Sequence, residues 1–175
     1  MINYTLLEFD ELNSTSDLLK ENSAYFPHMT WIKANYQTLG RGQFDRMWSS
    51  DKSKNILCSI LLKDIAIDKA NQIKSWVIDS VELFLQTLGI QTTFKEPNDL
   101  YVNGQKICGI LIETKTKNLC FESVVIGIGI NVNQDDFNQL NATSIKKVLG
   151  NEQDLKQLFH YFMTFMLETY EGYEL

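Results

Sequence analysis

The dipeptide Asn103-Gly104, set between Val102 and Gln105, limits the fold of this chain more than any other feature. Both central residues of a type I′ turn need positive φ, which Asn and Gly adopt easily, and that turn matches the twist of paired antiparallel strands. The spacing predicts strands over 99–102 and 105–113, with Val102 facing Gln105, Tyr101 facing Lys106 and Asp99 facing Cys108. In that register Asp99, Tyr101, Lys106 and Cys108 project from one face, which turns apolar at Ile110 and Ile112. A third strand over about 120–130 follows the polar connection Thr114–Asn118.

Other elements fall around this hairpin. Residues 2–9, 30–36 and 55–62 read as strands, and the last run, NILCSILL, is apolar enough to be buried on both faces. Ser14 with Asp17 forms a capping-box-like start for a short helix at Leu18 and Leu19. Asp68–Leu88 carries the stripe Ile73, Trp76, Val77, Val81, Phe84, Leu85 and Leu88, which Gly89 stops. Asn151 with Asp154 starts a last helix striped by Leu155, Leu158, Phe159, Phe162, Met166 and Tyr170. Strands interrupted by helices, with at least two hairpins, predict an α+β fold: a mixed, largely antiparallel sheet backed by helices on one face. At 175 residues the expectation is one domain, 1–175.

Composition excludes several classes. No apolar run reaches the roughly 18–20 residues of a membrane span. The start MINYTLLEFDELNS lacks the basic region of a signal peptide, so the expected location is cytoplasmic. Cys58, Cys108 and Cys120 are scattered and are expected to act as small core hydrophobes. His28 and His160 have no partner spacing, so no metal site is expected in the chain itself. The net charge of −6 argues against nucleic acid as a partner.

Four segments carry chemistry. The first is QTLGRGQFDRMW, residues 37–48, in a polar stretch Gln37–Lys54 too long for a simple turn. Gly40 and Gly42 would let its amides form an anion-binding nest, with Arg41 and Arg46 adding charge; the bland alternative is a basic loop without a ligand. No GK[ST] follows, so it is not a P-loop. The second, KEPNDLYVNGQKICG, sets Lys106 diagonal to Asp99 on the hairpin face, unless the two form only a surface ion pair. In the third, VVIGIGINVN, Gly127 and Gly129 bare one strand face for close approach, and Asn131 continues that face. The fourth, Asn13-Ser14-Thr15-Ser16, places hydroxyls where they cap a helix or meet a polar ligand.

Taken in order, GRG…R.W, PND…NG.K..GIL.E and VVIGIGIN resemble the biotin–protein ligase family from about Leu6 through Gly150, with Ala142-Thr143-Ser144 as a further family segment. The resemblance implies two reactions: biotin and ATP give biotinyl-5′-AMP, and a lysine of a biotin carboxyl carrier protein then takes the biotinyl group. It implies ATP with Mg²⁺, and biotin as substrate. It places Ser14, Thr15, Gln37, Gly40, Arg41, Gly42, Lys106 and Gly109 around biotin, and Gln43, Arg46, Trp48, Asn98 and Asn131 around ATP or the adenylate. Lys106, Arg41, Arg46 and Asp99 would carry the chemistry, with Lys106 bridging the biotin carboxylate and the α-phosphate. Since the carboxylate is already a nucleophile, the work is bringing two anions together and stabilising phosphoryl charge.

The sequence departs from the family pattern at several points. Glu96 replaces a tryptophan before PND, Ser16 replaces an asparagine after Ser-Thr, and Gln43 stands where many members have arginine. The family's small C-terminal β-domain and an N-terminal DNA-binding domain are expected to be absent, while a homodimer is left open. Two alternatives remain: a lipoate or octanoate ligase of the same fold, against which the GRG loop counts, and a non-catalytic biotin-binding regulator.

Overall fold

Strand alternation sets the architecture. The computed structural model describes residues 2–44, 46–173 and 175. In chain order, β1 (Thr5–Phe9), α1 (Thr15–Glu21), β2 (Thr30–Ala34) and β3 (Asn55–Leu62) precede β4 (Ile65–Ala66) and α2 (Ala70–Thr87). Then follow β5 (Thr93–Lys95), β6 (Asp99–Val102), β7 (Gln105–Lys117), β8 (Cys120–Asn131), α3 (Ile145–Leu149) and α4 (Leu155–Tyr170). The strands form one sheet in the order β1-β2-β3-β8-β7-β6-β5, with β4 beside β8. Only β1 and β2 run parallel among the described pairs, so the expected mixed, largely antiparallel class holds.

Side chains two apart share a face. Ile56, Cys58, Ile60 and Leu62 of β3 and Val124, Ile126, Ile128 and Ile130 of β8 all join the core under α2 and α4. The two helices contribute the expected stripes, including Trp76, Phe84, Phe159 and Phe162. The alternate residues Ile32, Leu61 and Val125 form a smaller core with Leu19 of α1, so α1 lies on the opposite face from the long helices, which corrects the expected backing by helices on one face.

Several boundaries move for local reasons. The turn Asn118-Leu119, with Asn118 at φ 55, pairs Lys117 with Cys120, so the polar stretch expected as a connection is the continuation of β7. Polar side chains are tolerated there because they project past the core while the backbone stays paired. A single turn of 3-10 helix, Ile67–Lys69, precedes α2, and Gly89 at φ 80 ends it. The Asp154 carboxylate, rather than Asn151, caps α4 by accepting from the Gln157 amide at 3.0 Å. Cys58 and Cys108 are core residues as expected, but Cys120 is exposed beside the β7–β8 turn. No described helix is long and apolar enough to cross a membrane.

Candidate active site

On the α1 face a cavity of about 470 Å³ opens over the middle of β7 and β8. Its floor is glycine. Gly109 and Gly129 are register partners on adjacent strands, and the Trp48 indole lies against both. A Cβ at Gly129 would stand 2.6 Å from the indole, and one at Gly109 would stand 2.7 Å from it, distances no real side chain tolerates. The bare strand face expected at VVIGIGIN is therefore real, and the group approaching it here is Trp48. The indole Nε1 is buried with no hydrogen-bond acceptor among the described residues.

Lys106 stands at one end of this floor. Its ammonium is 2.8 Å from an Asp99 carboxylate oxygen and 5.4 Å from the centre of the Trp48 ring. The expected hairpin register holds at Val102–Gln105 and Tyr101–Lys106, then slips: Leu100 faces Cys108 and Asp99 faces Gly109. The extra residue on β7 is a β-bulge, which re-aims the side chains beyond it. Cys108 thus leaves the Asp99–Lys106 face for the core, correcting the expected grouping, and Gly109 takes its place. A Cβ there would sit 3.3 Å from the Lys106 ammonium, so the glycine gives the lysine room. Burial pushes the Cys108 thiol far up and the Cys58 thiol up to about 12, which removes both as nucleophiles at neutral pH.

The other end is built of neutral hydroxyls. Gln37 Oε1 accepts from the Thr15 amide at 2.8 Å and from the Thr15 hydroxyl at 3.1 Å. Ser59 lies 2.7 Å from the Thr15 hydroxyl and 2.9 Å from that of Ser16. Each hydroxyl has one proton. Because Thr15 gives its proton to Gln37, Ser59 must donate to Thr15 and Ser16 to Ser59. The chain of donors runs one way and leaves acceptor lone pairs on Ser16. Gly127 makes this possible, since a Cβ there would come within 2.5 Å of the Ser16 oxygen.

The loop over the cavity differs from the expected nest. Gly42 N–H donates to the Arg46 carbonyl at 2.8 Å, and Trp48 N–H donates to Gly40 at 2.9 Å. Arg41 bridges Met47 between them, so the segment is a small hairpin whose glycine amide is spent on its own partner. Neither Gly40 nor Gly42 has positive φ. Gly40 is required for closeness instead, because a Cβ would strike the Trp48 carbonyl. Asp45 lies outside the described residues. Arg41 does not extend freely toward a ligand: its guanidinium is held by Asp17 at 2.7 Å and, through two parallel bonds of 2.9 and 3.0 Å, by Glu113.

The cavity brings together Thr15, Gln37, Arg41, Gly42, Gln43, Arg46, Trp48, Asn98, Asp99, Lys106, Gly109 and Asn131. Ser14 and Gly40 are not among its lining residues; the Ser14 hydroxyl caps α1 by accepting from the Asp17 amide at 3.2 Å. Asn98 and Asn131 line it, but their amide N–H groups brace the frame. Asn98 donates to the Ile110 carbonyl at 2.7 Å, and Asn131 donates to Thr143 at 3.0 Å and to Lys106 at 3.5 Å. That leaves the Asn131 oxygen as its group for a ligand. Among the described residues, no three His, Cys, Asp or Glu side chains cluster as a metal cage. The structure adds Ser59 and Glu113 to the expected site residues, and gives Ser16, expected only among the hydroxyls of Asn13-Ser14-Thr15-Ser16, a bond to Ser59. Ser59 is hidden inside an apolar strand, and its only signal is being the one hydroxyl in NILCSILL.

The family model described as the biotin/lipoate A/B protein ligase family matches residues 8–131. A bifunctional ligase/repressor BirA of Bacillus spizizenii is 36% identical over 166 residues, covering 91% of this chain and 50% of that protein. The chloroplastic biotin–protein ligase 1 of Arabidopsis thaliana is 30% identical, over 88% of this chain and 45% of its own length. The chain thus spans about half the length of the curated relatives it matches. Among solved structures, the Aquifex aeolicus biotin protein ligase in complex with biotin and ATP superposes with a TM-score of 0.83 at 27% identity, covering 97% of this chain and 71% of that one. The Helicobacter pylori biotin acetyl coenzyme A carboxylase synthetase, with bound biotinylated ATP, gives 0.71 at 26% identity, over 95% and 75%.

Proposed function

The chain belongs to the biotin/lipoate A/B protein ligase family, and from that membership we propose that it joins biotin to a lysine of a carrier protein through biotinyl-5′-AMP. The observation that carries this reading is the polarity of the cavity. One end holds the Lys106 ammonium, the floor is two facing glycines, and the far end is a neutral hydroxyl relay whose last member offers lone pairs. Biotin has a carboxylate at one end and a ureido ring with two N–H donors at the other. Lipoate and octanoate have no N–H to give and would leave buried acceptors unpaired, which sites built for a hydrogen bond reject strongly. The same polarity weighs against the lipoyl-type alternative.

In this reading Thr15, Ser16 and Gln37 meet the ureido ring, and Gly109 and Gly129 let the flat ligand lie against the sheet. Lys106 draws the carboxylate and the α-phosphate together. A carboxylate oxygen attacks the α-phosphorus, the bond to the bridging oxygen breaks, and pyrophosphate leaves. The carrier lysine, as a free amine, then attacks the acyl carbonyl, AMP departs and the amine loses its proton. Asp99, paired with Lys106, orients the incoming amine. Arg46, exposed at the cavity, serves the outer phosphates, whereas Arg41 is shared between two carboxylates. Trp48 moves off the glycine floor to cover the bound nucleotide, and the Asn131 oxygen faces the base. Mg²⁺ would arrive as the counter-ion of ATP, as that ion usually does with nucleotide phosphates. The test is exchange of labelled pyrophosphate into ATP with biotin, lipoate or octanoate as the acid, alongside calorimetry of biotin with and without ATP. Exchange with biotin alone is expected; exchange with either fatty acid and not biotin would overturn the assignment.

A further inference from the structure

Strand order lays the cavity out in steps. The hydroxyl relay runs through Ser59 of β3 and stands over Gly127 of β8, and the Lys106 ammonium reaches from β7 to Asp99 of β6. One more strand lies beyond them, β5. In the register that the β7 bulge creates, Lys95 of β5 faces Asp99, Asp99 faces Gly109, and Gly109 faces Gly129. Directly opposed residues share a sheet face, so the row of the glycine floor ends in a second lysine. Adjacent strands are about 4.8 Å apart, and a lysine side chain reaches further than one such step. Lys95 lines the same cavity as Lys106, on the far side of it from the hydroxyls.

The two lysines differ in their partners. Lys106 is held by Asp99, and Arg41 is bracketed by Asp17 and Glu113. The acid next to Lys95 in the chain, Glu96, is turned to Lys74 of α2 at 3.0 Å. Lys95 itself forms no ion pair among the described residues. Its exposed ammonium instead lies 5.0 Å from the centre of the Tyr101 ring. A ring attracts an ammonium through its quadrupole and leaves the charge uncancelled. Lys95 thus brings a whole positive charge to the end of the row.

We propose that Lys95 is the catalytic cation that receives the leaving pyrophosphate, a role that rests on the biotin-ligation reading. A carboxylate oxygen attacks the α-phosphorus. The bond from that phosphorus to the bridging oxygen breaks, and the oxygen departs on pyrophosphate with the electron pair. Attacking and leaving oxygens stand roughly in line in such a transfer. Biotin, with its ring at the hydroxyls and its carboxylate at Lys106, attacks from the β8 side, so the leaving group departs toward β5. Asp99 lies on that path, and its ion pair with Lys106 offsets its repulsion. The next group along the row is Lys95.

The variants are Lys95→Gln, which removes the charge, and Lys95→Arg, which restores it. In biotin-dependent exchange, Lys95→Gln should raise the KM for pyrophosphate roughly tenfold, the low end for a lost charged hydrogen bond, since Lys95 is exposed. The gap to wild type should narrow as salt rises, because exposed charges are screened. Lys95→Arg should recover most of the loss. Biotin affinity without nucleotide should stay unchanged, as should transfer from preformed biotinyl-5′-AMP to hydroxylamine, since pyrophosphate takes part in neither. A merely structural Lys95 would move those two readouts as well. That result, or an unchanged KM for pyrophosphate in Lys95→Gln, would sink the assignment. If the wild type shows no exchange with biotin, the ligation reading fails, and calorimetric titration of pyrophosphate into wild type and Lys95→Gln decides Lys95 by itself. Weaker binding by the variant supports it there; equal affinities, or no binding by either, count against it.

Discussion

The two faces of the sheet are made by the same strands and share almost no chemistry. On the helix side, successive alternate residues of β3 and β8 are large and apolar, and α2 and α4 cover them. One residue along, on the α1 side, the same strands present Ser59, Gly127 and Gly129, and β7 adds Gly109, Leu111 and Glu113. The helix side carries the close-packed core, in which a missing methylene is felt as a cavity. The α1 side is underfilled on purpose of a different kind: every small residue there makes space for something specific, whether Ser16, Lys106 or the Trp48 indole. Separating the tasks across one pleat lets a strand hold the domain together while leaving its other face to a ligand.

The comparison is tested most severely by truncating the packed face. Phe162 is fully buried and meets Trp31 and Phe84 edge-on. Phe162→Ala should cost about 3–5 kcal/mol of stability, measured by urea unfolding, with the KM for biotin of the folded fraction unchanged. A large KM change would show that the faces are not independent. The converse is Lys106→Ala, which should slow biotin-dependent pyrophosphate exchange roughly 10²–10³-fold, the scale for losing one charge-stabilising donor. Exchange at the wild-type rate would remove Lys106 from the chemistry.

A smaller effect separates the glycine floor from the core. Gly129→Ala puts a methyl group where Trp48 lies, so either the indole is displaced or the protein loses about 1–3 kcal/mol to overpacking. Tryptophan emission tells these apart: a red shift without destabilisation is expected if the indole swings away, and no change in either would contradict the contact. The smallest effect is acid sensitivity. His28 accepts the Lys63 amide at Nδ1 and meets the Tyr170 hydroxyl at Nε2, and burial lowers its pKa below the ordinary 6.5. A lowered histidine contributes stability that is complete above 6.5 and lost as pH falls through the folded value. On the cavity side, burial raises the Glu113 carboxyl, but its bonds from Lys20 and Arg41 outweigh that and hold it below the usual 4.5, so its contribution goes at lower pH. Urea midpoints of His28→Gln should therefore fall less steeply than those of wild type as pH drops below 6.5. Parallel curves throughout would exclude His28 as the source.

Local chemistry made much of this legible. Asn103-Gly104 turned where expected, the apolar stripes of α2 and α4 faced the core, and Ser14 capped α1. Gly127 and Gly129 signalled a bare face because no other residue leaves one. These features depend on turn angles, strand period and helix period, which a chain carries with it along its own length. What reached across the fold was not legible. One bulged residue in β7 decided that Gly109, not Cys108, lies beside Lys106. The pairing of Gly42 with Arg46 turned an expected anion nest into a hairpin, and the Asp17–Arg41–Glu113 bracket joined residues 24 and 72 positions apart. The sequence by itself determined the main strands and helices, the apolar faces of α2 and α4, and the family; register, loop pairing and the partners of each charge were decided by tertiary structure, because a contact between distant residues depends on every intervening turn and strand offset.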